Sequence, residues 1–293
     1  MKSITYPTSP IDKKAKTSTS VVSTLKSTLL VFFLFFPLTF MRMFFHEAGH
    51  ALFNLTQGVP VSFIYAHPFS FVGFSRPIAD YQNIWQHASG TITELLVFAL
   101  IFILLWKHRS FYTLPFLLVF PWICIFDGIG GFFDILGHSG DFHNIMLIMG
   151  WPAAGFYVMS MVLTVVGIFL FISLIPLLGL APDNGKTLFV LPSAMLLYTA
   201  VGLPVAYFLV PGSPIDMQYH LAPEIISSAY YRPIMMGAIG ILLAMIYITL
   251  YRKVYIRLPL GIRTEKASLS WKVCWYPALL FTISMVLGLI IIH

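Results

Sequence analysis

Seven long apolar stretches limit this chain to a membrane architecture before any motif is considered. They lie near residues 27–55, 89–106, 111–136, 145–178, 187–211, 233–251 and 273–292. The hydrocarbon core of a bilayer is about 30 Å thick, and about 20 apolar helical residues span it. Each stretch reaches or approaches that length. Inside hydrocarbon the chain must satisfy its own backbone N–H and C=O groups, so such stretches become helices and not exposed loops or open strands. Composition agrees: 10% of the residues are charged, against about 25% in a soluble domain. The expected fold is an all-α polytopic membrane protein with about seven transmembrane helices, integral to a lipid bilayer.

A net charge of +6 would suggest a nucleic-acid partner in a soluble protein. Here its distribution points to lipid. With the N-terminus in the cytosol, 14 of the 17 Lys and Arg residues fall on the cytosolic side, among them Lys13, Lys107, Lys186 and Arg252. Arg76 and Arg232 fall outside, and Arg42 lies within the first span. This positive-inside bias predicts a multi-pass protein with a cytosolic N-terminus and no nucleic-acid partner. The basic loop 252–272 then faces anionic headgroups. Residues 1–26, rich in Ser, Thr and Lys, read as a disordered cytosolic tail. Residues 27–293 read as one membrane-embedded domain. Cys124 and Cys274 give neither a disulfide framework nor a paired metal motif.

Two segments depart from plain apolar helix. Residues 58–76, "GVPVSFIYAHPFSFVGFSR", alternate in part and are punctuated by Gly and Pro, so a short strand-like interfacial segment is expected after the first span. The third span ends in "FDGIGGFFDILGHSGDFHN". Its glycines are expected to break the helix and line a polar cavity.

The chemistry concentrates in "MFFHEAGHALFN", residues 43–54. His46 and His50 are four apart and share one face of a helix about a turn from each other. One metal ion can take both imidazoles. Glu47 follows the first and can reach a water on that metal, the H-E-x-x-H arrangement of zinc hydrolases. Zn2+ lowers the pKa of its water to about 7 and polarises a carbonyl, while the glutamate acts as general base. The competing reading is a pair of packing histidines without metal. It is disfavoured because ionisable groups within a span are costly and default to function.

A catalytic zinc site usually has three protein ligands and one open position. The glycine-rich stretch offers Asp127, Asp134, Asp141, His138 and His143, and depth along the helices does not choose among the aspartates.

"FHEAGHALFNLTQG" resembles the "HExGHA…G" helix of the site-2-protease class of intramembrane zinc metallopeptidases, most closely its short, single-domain members. "HASGTITELL", residues 87–96, resembles the small-residue helix of those members. "HSGDFHNI", residues 138–145, resembles their later GD motif. The likeness covers about residues 40–150, which would be the catalytic core. It implies zinc on His46, His50 and Asp141, with Glu47 as the base and a membrane protein or peptide as substrate. "FPWICIFDG", residues 120–128, shares a Pro and an "FDG" with the longer members' ligand helix but lacks their Asn, and it keeps Asp127 as the alternative third ligand.

Glu94 is expected either to line the site or to hydrogen-bond near the interface. His87 is more an interfacial residue than a supporting donor. Asp216, His220 and Glu224, in an expected outer loop 212–232, are spaced like a cation site but read better as plain solvation. Peptidase function is the leading expectation. A non-proteolytic membrane zinc-binding protein or transporter is the alternative, and the absence of paired repeats counts against a transporter.

Overall fold

The computed structural model describes residues 21–61, 63–65, 74–76, 83–138, 140–180, 185–209, 215–250 and 275–291. Eight helices make up nearly all of this: α1 (Val21–Thr56), α2 (Ile84–Leu105), α3 (Leu114–Gly137), α4 (Gly140–Met149), α5 (Ala153–Leu174), α6 (Lys186–Leu209), α7 (Ile215–Leu250) and α8 (Trp275–Ile291). Between α1 and α2, β1 (Phe63–Tyr65) pairs antiparallel with β2 (Phe74–Arg76), Ile64 opposite Ser75.

Among the described residues, five helical segments are long and apolar enough to cross a membrane: Thr24–Thr56, Ile84–His108, Leu114–Gly137, Ala153–Leu178 and Pro233–Leu250. The chain is thus a multi-pass membrane protein. The fifth and seventh stretches expected from sequence are helical in α6 and α8. The described apolar part of α6, Lys186–Val201, is shorter than a full span.

α1 begins at Val21, inside the segment expected to be tail, because "VVSTLKSTLL" contains no helix breaker. The glycines of α3 do not break it. Gly128 and Gly131 instead receive Ser160 of α5, and Gly167 of α5 lies against the Ile125 backbone. The break falls later, at His138, whose φ of 53° reverses the chain into α4. The stretch expected as one span over 145–178 is two helices, split where Gly150 takes a φ of 63° and Pro152 precedes α5. The expected loop 212–232 is helical from Ile215 onward, with Pro223 and Pro233 inside the helix. The side chains of Asp216, His220 and Glu224 lie outside the described residues, as do the loop 252–272 and residues 1–20.

α1 is the central element. In its most apolar window 72% of the residues are buried, against 22% for α2. Phe35 packs edge-on against Trp122 of α3 at 5.1 Å, and Phe36 against Tyr198 of α6 at 4.9 Å. Lipid tails are as apolar as these side chains, so such contacts stabilise by close packing and not by escape from water. The packed centre fixes α1, and α1 carries the polar face described next.

Candidate metal centre

Arg42, His46, His50 and Asn54 recur every fourth residue and form one stripe along α1. α2 runs back along this stripe. The Gln86 carbonyl accepts a hydrogen bond from His50 Nδ1 at 2.6 Å. Gly90 lies against both imidazoles. Glu94 Oε1 accepts from His46 Nδ1 at 2.8 Å, and Glu94 Oε2 lies 3.5 Å from Arg42 Nε. Each step of four residues back along α1 is matched by four forward along α2. The start of α2 is set by Asn83, whose side chain accepts from the Trp85 N–H at 3.0 Å, an N-cap that satisfies one of the helix's free donors.

Gly90 is required by space. A Cβ at this position would lie 2.5 Å from His50 Nε2 and 2.9 Å from His46 Nε2. Only hydrogen fits beside the two nitrogens and whatever they hold.

Asp141 enters from α4. The Asp134 carboxylate accepts from the Phe142 N–H at 3.4 Å and so pins the first turn of α4. Gly140, with a φ of 80°, lies against that same carboxylate. Asp141 is thereby carried to the start of α2, where His87 Nδ1 sits 3.0 Å from its Oδ1. Its Oδ2 lies 3.4 Å from His46 Nε2 and 3.4 Å from His50 Nε2.

Three donor atoms therefore converge. The two Nε2 atoms are 3.1 Å apart, and each is 3.4 Å from Asp141 Oδ2. Zinc ligands at about 2.0–2.1 Å in tetrahedral array stand about 3.3 Å from one another, so the triangle has the dimensions of one face of such a site. The protonation pattern fits as well. The Gln86 carbonyl can only accept, so His50 carries its hydrogen on Nδ1, and the Glu94 carboxylate imposes the same on His46. As neutral rings, both then present Nε2 lone pairs to one point. These repel unless a cation lies between them. The local charge agrees: Glu47, Glu94 and Asp127 are buried with one guanidinium, Arg42, and Asp141 is beside them.

Of the sequence candidates, the fold brings His46, His50 and Asp141 together as a group able to hold a metal ion. Asp127 is elsewhere. Its Oδ1 takes Arg42 Nη2 at 2.6 Å. Glu47 is buried next to the triangle on α1. His138 and His143 meet edge to face, with centroids 5.2 Å apart. Glu94 and His87 are both in contact with ligand candidates, so the interfacial expectation for His87 gives way to a hydrogen bond with Asp141. Sequence reading missed the Gln86 carbonyl, Gly90 and the role of Arg42. The available signal was Arg42 itself, a cation one turn before His46 inside a span, which had to meet an anion. No protein-family model matches the chain, and neither a curated protein nor a solved structure shows significant similarity to it.

Proposed function

We propose that this protein is an intramembrane zinc metallopeptidase of the site-2-protease type, with His46, His50 and Asp141 as metal ligands and Glu47 as general base. The observation that carries the reading is the triangle of two imidazole nitrogens and one carboxylate oxygen, with sides of 3.1, 3.4 and 3.4 Å, on a helix that also bears Glu47. Three protein ligands leave one tetrahedral position open, which distinguishes a catalytic zinc site from a structural one. Zinc bound there supplies Lewis acidity for water and for a carbonyl. Glu47 stands one residue after His46 and three before His50, the place of the general base in the H-E-x-x-H arrangement. It takes a proton from water and returns it to the leaving amine. His87 orients Asp141, and Gln86 and Glu94 orient the two imidazoles.

Hydrolysis needs water, and the helix length supplies access. α1 has 36 residues, about 54 Å, against about 30 Å of hydrocarbon. With the N-terminus cytosolic and Lys26 at the inner surface, His46 and His50 lie about 30–36 Å along the helix, at the outer interface. The β1–β2 pair follows directly, and an extended substrate backbone can add to such an edge.

The test is cleavage by the full-length chain in zinc-loaded proteoliposomes, offered a set of transmembrane peptides. Glu47→Gln abolishes product while bound zinc stays stoichiometric. Cleavage that survives this change excludes the mechanism. If Glu47→Gln is harmless in cells while His46→Ala is not, the protein is a non-proteolytic zinc-binding protein or transporter instead.

A further inference from the structure

The two candidate imidazole ligands are held unequally. His50 Nδ1 meets a neutral acceptor, the Gln86 carbonyl at 2.6 Å, with Ser89 Oγ 3.3 Å away. His46 Nδ1 meets the carboxylate of Glu94 at 2.8 Å, and Glu94 is 0% exposed. A buried carboxylate needs a compensating charge, and here Arg42 provides it through an ion pair at 3.5 Å. Arg42 also gives its shortest contact, 2.6 Å, to Asp127 on α3. Its guanidinium lies 4.3 Å over the Phe126 ring, and its Nη1 is 3.0 Å from Met43 Sδ. The arginine is fixed on every side.

A salt bridge that served only to join helices would need one carboxylate per guanidinium. This cluster has two carboxyl groups, and Glu94 turns its Oε1 away from the guanidinium to the His46 Nδ1–H. We infer that Arg42, Glu94 and Asp127 form a three-helix clamp that positions His46 and strengthens it as a metal ligand, acting on the metal through that imidazole. A carboxylate behind an imidazole fixes its tautomer and raises its basicity at the opposite nitrogen. Asp127, the alternative third ligand by sequence, is the far end of the clamp. The inference rests on the reading of His46, His50 and Asp141 as a metal centre.

The test uses the full-length chain in lipid nanodiscs, with zinc and cobalt as probes. Zinc affinity is measured by competition with a chelator, the cobalt ligand-field spectrum is recorded, and melting is followed in excess chelator. Glu94→Gln keeps an acceptor for His46 but loses the charge, and it weakens zinc about 10-fold. Glu94→Ala loses both and weakens it about 100-fold. The cobalt spectrum shifts in both, while metal-free melting of Glu94→Gln stays that of wild type. Unchanged affinity and an unchanged spectrum in Glu94→Gln and Glu94→Ala overturn the clamp while leaving the metal centre standing. Collapse of the metal-free fold in both variants also overturns it, by making the cluster structural. A wild-type chain that takes up neither metal defeats the metal-centre reading, and the clamp with it.

Discussion

The two halves of the bundle bury different chemistry. Up to α4 the buried polar side chains include Arg42, Glu47, His50, Asn54, Gln86, His87, Glu94, Asp127 and His143. From α5 onward those of the described residues are hydroxyls only: Ser160, Thr187, Thr199 and Ser284. A hydroxyl in a membrane helix can satisfy itself on its own backbone, as Thr199 does with the Met195 carbonyl at 3.1 Å. A buried charge cannot, and it must find partners on other helices. The first half is therefore bound together by directional contacts between helices. The second is held by shape, as where Phe171 packs in the central core. Two ways of holding helices together imply two ways of failing.

The comparison breaks most visibly at the ligand triangle. His50→Ala or Asp141→Ala should leave the purified chain without stoichiometric zinc by elemental analysis, while Asp127→Ala should retain it. The opposite outcome for the two aspartates would move the third ligand to α3. Next is Gly90→Ala, whose methyl occupies the space beside both Nε2 atoms. Zinc content should fall below one per chain with helix content by circular dichroism unchanged. Asp127→Asn should act only through Arg42 and Glu94, lowering zinc affinity by no more than about 10-fold in a chelator titration. At the other extreme, Phe171→Ala should leave zinc affinity unaltered yet cost about 3–5 kcal/mol of stability in a denaturation series. A zinc deficit in that variant's folded fraction would show that the halves are coupled after all.

What could be read from sequence divides along the same line. Helical spans are legible because apolar run length is a local property, and the pairing of His46 with His50 is legible because both lie on one helix. Two boundaries misread for a local reason. Glycine in α3 carries the local signature of a helix breaker, yet it serves there as a contact surface for Ser160. The stretch from 145 to 178 looked continuous because Gly150, Trp151 and Pro152 interrupt it over only three residues. Asp141 stood out from Asp127 only through its likeness to a family motif. Separating them physically needed the turn at His138 and the partner of Arg42, both products of tertiary structure. Gln86 was beyond reach, because it contributes a backbone atom that every residue possesses.

The matched spacing of α1 and α2 has one more consequence. Two apolar helices offer nearly the same surface at every turn, so sliding one past the other by a turn, about 5.4 Å, changes their packing little. The polar stripe makes such a slip expensive. Moved one turn either way, Arg42 would face Gly90 or Phe98 in place of Glu94, leaving the buried Glu94 carboxylate without its guanidinium, and a buried charge stripped of its partner costs about 3–5 kcal/mol. The groups that converge on the triangle therefore also index the helices during assembly. A chain that has found its metal site has, by the same contacts, excluded its nearest misaligned neighbours.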